Sequence, residues 1–175
     1  IVGALFHIPV GEVWPMADIL KLKKEITKHG LSFEVVESVN VHESIKLGLP
    51  ERDKYIDNYR TTIRHLAEAG VKVICYNFMP VFDWTRSDLA YELPDGSTVL
   101  ADEKEKIESI DPLELVERME RSSLGYSLPG WEPERLKTLK TLFEMYRDVS
   151  EEDLFRNLQY FLEQIIPTAE EVGVR

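Results

Sequence analysis

The stretch Val71–Arg86, VKVICYNFMPVFDWTR, decides the fold. Gly70 precedes it. The run itself opens on Val71, Val73, Ile74 and Cys75, then passes into Tyr76, Asn77, Trp84 and Arg86, with Pro80 between. It reads as a buried strand that leaves the core through a polar and aromatic loop. In α/β proteins, ligands sit at such strand exits.

Working outward, the same unit recurs. Residues 1–6 (IVGALF) form an apolar, β-prone run, and His7 to Gly11 follow as a turn. Pro15 stands where a first helical turn accepts proline. Met16, Ile19, Leu20 and Ile26 then mark one helical face. His29-Gly30 is a helix stop, and LSFEVVE (31–37) is the next strand. Ser38, Asn40, His42 and Glu43 make a polar cluster at its exit. After Gly48-Leu49-Pro50 a helix is predicted over 51–69, its buried face made of Ile56, Tyr59, Ile63, Leu66 and Ala67. Helix, glycine, strand repeats at Gly30, at Gly70 and again at Gly173. Such alternation with short joints predicts βαβ units and a parallel sheet, with strands near Val2 to Phe6, Phe33 to Glu37 and Val71 to Tyr76 adjacent in that order.

Residues 78–130 are too long for an ordinary strand-to-helix connection and read as an insertion, a lid or a subunit contact. It holds a turn at Pro94-Asp95-Gly96-Ser97, a short helix starting at Asp111-Pro112, and a turn at Leu128-Pro129-Gly130. A further helix covers 133–146. Ser150-Glu151-Glu152-Asp153 resembles a capping box, and the helix after it meets Pro167, which is expected to kink or restart it. The sequence opens on a strand and stops entering a fourth. A closed eight-stranded βα barrel takes about 250 residues. The fold class is therefore α/β, a parallel (β/α) barrel of TIM type present as an incomplete segment over 1–175; an open sheet of three or four strands is the alternative.

Composition narrows the function. Over 175 residues, 43% hydrophobic and 30% charged is globular, and a formal net charge of -11 argues against nucleic acid and anionic membranes as partners. Cys75 is the one cysteine, which suits a reducing compartment and excludes an intrachain disulfide. No apolar run is long enough to cross a bilayer, and no signal-peptide pattern opens the chain. There is no phosphate loop, dinucleotide fingerprint, HExxH or zinc-type cysteine pair. What remains is convergence: His7, Glu37, Ser38, His42, Tyr76, Asn77, Trp84 and Arg86 all stand at or just past predicted strand ends. Cys75 reads as core, His29 and His65 as helix residues, and the charges between Asp102 and Glu108 as a solvated face.

Four strings, CYNFMPVFDWTR (Cys75–Arg86), IVGALFHIPVGEVW (Ile1–Trp14), VHESIKLG (Val41–Gly48) and LPGWEPERL (Leu128–Leu136), together resemble the mannonate dehydratase family along essentially the whole chain. The resemblance implies a TIM barrel related to the xylose isomerase-like barrels. It implies a cytoplasmic, typically dimeric hydro-lyase of hexuronate breakdown that converts D-mannonate, a small sugar acid, to 2-keto-3-deoxy-D-gluconate. It implies Mn2+ or Fe2+ in the complete protein. The family's metal ligands (a histidine in a His-Pro-Asp-Asp-Pro-Pro motif, a cysteine, a second histidine and an aspartate) and its acid and base residues lie beyond this segment. No metal ligand is thus assigned here, and Cys75 does not match the ligand cysteine. The sequence departs from the family pattern near His7, Asn40 and Ser44, so the substrate-binding assignment rests on His42, Tyr76, Asn77, Trp84 and Arg86. A metal-dependent sugar isomerase or epimerase on the same barrel, and a non-catalytic shortened barrel acting as an interaction module, are the competing readings.

Overall fold

The computed structural model describes residues 1–81, 88–101, 103, 105 and 141–175. These form two compact units, one made of Ile1–Phe78 with Val149–Arg175, the other of Met79–Asp148.

The first unit carries three strands and four helices: β1 (Val2–Gly3), α1 (Met16–Thr27), β2 (Val35–Asn40), α2 (Glu43–Lys46), α3 (Arg52–Glu68), β3 (Val73–Asn77) and α4 (Glu151–Val172). The strands lie side by side in the order β1-β2-β3, and both pairings are parallel, as the repeated glycine junctions predict. Arg175 extends the pattern. Its N–H donates to the Lys72 carbonyl at 2.9 Å, and its own carbonyl accepts from the Ile74 N–H at 2.9 Å. That is a parallel pairing opposite Val73, on the side of β3 away from β2.

The register sorts the sheet into two faces. One transverse row reads Gly3, Val36, Ile74, and the next Val2, Val35, Val73. The Gly3–Val36–Ile74 row faces the helices. Val36 is fully buried, and a Cβ at Gly3 would meet Phe33 and Leu22. A single apolar core lies between this face and the helices, built from Ile19 of α1, Ile45 of α2, Ile56, Tyr59, Ile63 and Leu66 of α3, and Phe161 and Ile165 of α4. Burying one such aliphatic or aromatic side chain is worth about 1.5–3 kcal/mol. The Val2–Val35–Val73 row faces away from these helices, and Val2 and Val73 are exposed.

Several expectations need correction. Leu20 is exposed on α1, and Leu22 packs inward instead. Pro15 is the N-cap of α1, extended at ψ 137, rather than a residue of its first turn. The second strand starts later than Leu31 and ends at Asn40, so Ser38 and Asn40 lie within it. His42 opens a short helix that the polar cluster did not announce. The restart expected at Pro167 does not occur in α4. A proline here removes one helical hydrogen bond, yet the helix continues to Val172 with Ile165 and Thr168 buried on either side of it. The capping box is present: Ser150 Oγ accepts from Asp153 N–H, and the Asp153 carboxylate accepts from Ser150 N–H.

In the second unit β4 (Asp88–Glu92) and β5 (Thr98–Ala101) pair antiparallel around the expected Pro94–Ser97 turn. Asp95 Oδ1 accepts from both the N–H and the Oγ of Ser97, at 3.0 and 2.7 Å. Residues 141–146 are helical. The helix expected from Asp111 and the turn at Leu128 lie outside the described residues.

Candidate functional site

Two polar neighbourhoods form near the carboxyl ends of β2 and β3. The first is a chain of hydrogen bonds across the sheet. Asn77 Nδ2 donates to Ser38 Oγ at 3.0 Å, and Ser38 Oγ donates to Asn40 Oδ1 at 2.9 Å. Asn40 and Asn77 are direct partners in the ladder.

A β-bulge produces this arrangement. Between the Val36–Ile74 and Val39–Tyr76 pairs, β2 has two residues, Glu37 and Ser38, where β3 has one, Cys75. An extra residue reverses the facing of everything after it. Strict alternation from the buried Val36 would send Ser38 and Asn40 toward the helices. With the bulge, Val39 enters the core instead, and Ser38 and Asn40 turn to the open face beside Asn77.

The second neighbourhood surrounds His42. Its ring stacks on Tyr55 of α3, with centroids 3.6 Å apart and planes 13° apart. Its Nδ1 accepts from the Ser44 N–H at 3.1 Å, capping α2. That bond requires an unprotonated Nδ1. Burial holds the imidazole pKa below its ordinary value, the nearby Lys46 ammonium works in the same direction, and the carboxylates of Glu43, Glu12 and Glu51 oppose them. Gly11, at φ +86, is packed so closely that a Cβ there would meet Tyr55 and His42 within 3 Å. The cavity beside them, reached by Leu5, Trp14 and Tyr59, has a volume of about 20 Å³. That is room for one water and not for a sugar acid.

The loop that closes this cavity is pinned to α3. Asn58 Nδ2 donates to the Gly11 carbonyl at 2.8 Å, the Trp14 N–H donates to Thr62 Oγ1 at 3.1 Å, and His65 Nδ1 lies 2.8 Å from the Trp14 carbonyl. The IPVGEVW string thus fastens the loop after β1 to the helix layer. His65, read from sequence as a helix residue, is one of the fasteners.

The expected site residues separate accordingly. Asn77 joins Ser38 and Asn40. His42 does not; it lies among Tyr55, Gly11 and Ser44. Tyr76 pairs with the buried Val39, and its ring meets Phe161 edge-on at 5.9 Å, on the helix side. His7 is exposed, its Nε2 3.8 Å from Asp18. Trp84 and Arg86 lie outside the described residues. Asn40, read from sequence as part of the polar cluster but not among the candidate site residues, lies beside Ser38 and Asn77. Its signal was its ladder partnership with Asn77, which a single strand read alone does not reveal. Among the described residues, no group of three His, Cys, Asp or Glu side chains converges as a metal site requires. No described helix is long and apolar enough to cross a membrane.

Comparison with known proteins supplies the family. The family described as D-mannonate dehydratase (UxuA) matches residues 1–175. The chain is 66% identical over 175 residues to the mannonate dehydratase of Geobacillus thermodenitrificans, covering all of this chain and 47% of that protein. It is 59% identical to the mannonate dehydratase of Thermotoga petrophila, covering 49% of that protein. The crystal structure of mannonate dehydratase from Streptococcus suis serotype 2 superposes with a TM-score of 0.78 at 47% identity, over 99% of this chain and 44% of that one. The chain thus spans about half the length of the curated relatives it matches. The match extends from end to end of the chain and agrees with the architecture found here: the chain belongs to the D-mannonate dehydratase family.

Proposed function

We propose that the protein acts as a mannonate dehydratase, removing water from D-mannonate to give 2-keto-3-deoxy-D-gluconate, and that this segment forms the substrate-binding side of a TIM-type (β/α) barrel. The observation that carries the reading is the 66% identity to a mannonate dehydratase over the whole chain. The geometry agrees with it. Strands follow one another in sequence order with the helices on one face, and the open face is apolar at its amino end (Val2, Val35, Val73) and polar at its carboxyl end (Ser38, Asn40, Asn77). A barrel interior has this polarity, with chemistry at the carboxyl ends of the strands. The flank of α4 away from α3 supports the same extension. Phe155 and Ile166 are exposed there, while the other flank is tied to α3 through Arg60–Gln164 and Tyr160–Asp53. A further helix of the barrel would cover the apolar flank.

The reaction needs a base to take the proton beside the carboxylate and an acid to help the neighbouring hydroxyl leave. We assign neither task to a residue of this segment. Mn2+ or Fe2+ belongs to the proposal for the complete protein, but the described side chains do not form a site for it, and the role of this segment rests on hydrogen bonding. Asn77 binds the substrate's hydroxyls. Trp84 and Arg86 complete the binding set, with the planar guanidinium suited to the substrate carboxylate. The proposal includes a cytoplasmic homodimer, in keeping with the single thiol of Cys75.

The test is mass analysis of the reaction of the complete gene product with D-mannonate and added Mn2+. A product lighter by one water, carrying a 2-keto acid, is expected. A product of unchanged mass would favour the isomerase or epimerase reading, and no turnover would leave the interaction module.

A further inference from the structure

We infer that the Ser38–Asn40–Asn77 chain is the hydroxyl-reading floor of the ligand site, taking two hydroxyls of the polyol tail of a sugar acid, with Ser38 as a positioning residue. The inference rests on the sugar-acid reading above and adds two residues, Ser38 and Asn40, together with the part of the ligand they read.

The bonds have a direction. A hydroxyl has one proton to give. Ser38 gives it to Asn40 Oδ1 and accepts from Asn77 Nδ2. This leaves the Asn40 amide presenting N–H donors and Asn77 Oδ1 presenting an acceptor, side by side on neighbouring strands about 4.8 Å apart. A hydroxyl both donates and accepts, so two neighbouring hydroxyls satisfy a donor and an acceptor held this way. A carboxylate only accepts and would meet Asn77 Oδ1 unfavourably. The recognised portion is therefore the neutral tail, and the acid end lies elsewhere. The bulge supports this placement independently. Were the same residues paired in strict alternation with no bulge, Ser38 and Asn40 would face the core, where their unpaired polar groups would be costly. Bulges re-aim side chains next to active sites, and this one delivers both residues to the open face at the carboxyl end of the sheet.

The test uses the complete gene product with D-mannonate and with its analogues lacking the C4 or C5 hydroxyl. Sites that hydrogen-bond a hydroxyl discriminate strongly against analogues without it. Ser38→Ala should lower kcat/KM for D-mannonate about tenfold, mostly through KM, and should narrow the preference over the deoxy analogues. Ser38→Thr, which keeps the hydroxyl, should restore both. A purely structural pin would lower activity only in proportion to folded protein and leave the preference intact, and that result overturns the inference. Calorimetric binding of D-mannonate runs alongside. Binding without dehydration would remove the dehydratase reading alone, and about tenfold weaker binding by Ser38→Ala would then still support the floor. Equal binding by Ser38→Ala, or no binding by the unaltered protein, overturns it.

Discussion

The two faces of the three-stranded sheet share one backbone and differ in almost everything else. On the helix side, Gly3, Val36, Val39, Ile74 and Tyr76 meet a core that includes Phe161, fully buried and in ring contact with Tyr59, Tyr76 and Phe78. On the other side, Val2 and Val73 are exposed and a row of neutral polar groups closes the carboxyl end. One face stabilises the unit through apolar burial. The other presents hydrogen-bonded polar side chains at the carboxyl end of the sheet. Because the division follows strand register, substitutions at neighbouring positions of one strand should have opposite consequences.

The largest effect should come from the core. Phe161→Ala removes an aromatic ring from the centre of the helix-side packing. It should cost about 3–5 kcal/mol of stability, read as a lowered urea midpoint in the complete gene product. Activity per folded molecule should change little. A variant that kept its stability but lost turnover would undo the division of the faces. Asn157→Ala should act on the same side with a smaller cost. Asn157 is buried, its Nδ2 donates to the Lys46 carbonyl at 2.8 Å, and its amide lies where a Cβ on Gly48 would intrude. Leaving that carbonyl unpaired should cost about 1–3 kcal/mol, measured the same way.

The smallest effect concerns pH. Burial lowers the pKa of His42 in the folded protein. Below about pH 6.5 the unfolded chain takes up a proton that folded His42 resists. The stability linked to neutral His42 is therefore complete above that pH and declines as pH falls through the lowered folded-state value. Urea midpoints across this range should fall more steeply with acid for the unaltered protein than for His42→Gln. Parallel curves would mean that His42 titrates alike in both states.

Much of the fold was legible because its signals are local. Gly30, Gly70 and Gly173 all take positive φ, and each stands within three residues of the end of a helix, where the chain turns back toward the sheet. The apolar spacing of Ile56, Tyr59, Ile63 and Leu66 gave away the buried face of α3. The site was less legible because its signal is not local. Read with a period of two, VVESVN places Ser38 and Asn40 beside the buried Val36. Only the pairing of β2 with β3 reveals the bulge that turns them over. Tyr76 and Asn77 are equally good candidates in sequence, since both stand at the end of a strand, and the register parts them. His42 also looked like a site residue because polar neighbours surround it. Of those neighbours Ser38 and Asn40 belong to β2, whereas Glu43 opens α2, whose backbone the His42 ring caps.

Tyr76 and Asn77 therefore provide the most direct test of the account, being adjacent residues with opposite facing. Steady-state kinetics with D-mannonate on the complete gene product, with unfolding midpoints measured on the same preparations, would compare Tyr76→Phe and Asn77→Ala. Tyr76→Phe keeps the ring against Phe161 and should retain kcat/KM to within about twofold. Asn77→Ala should keep its stability to within about 0.5 kcal/mol, as an open-face substitution, while kcat/KM falls about tenfold. The reverse pattern, with activity lost in Tyr76→Phe and retained in Asn77→Ala, would contradict the assignment of the two faces.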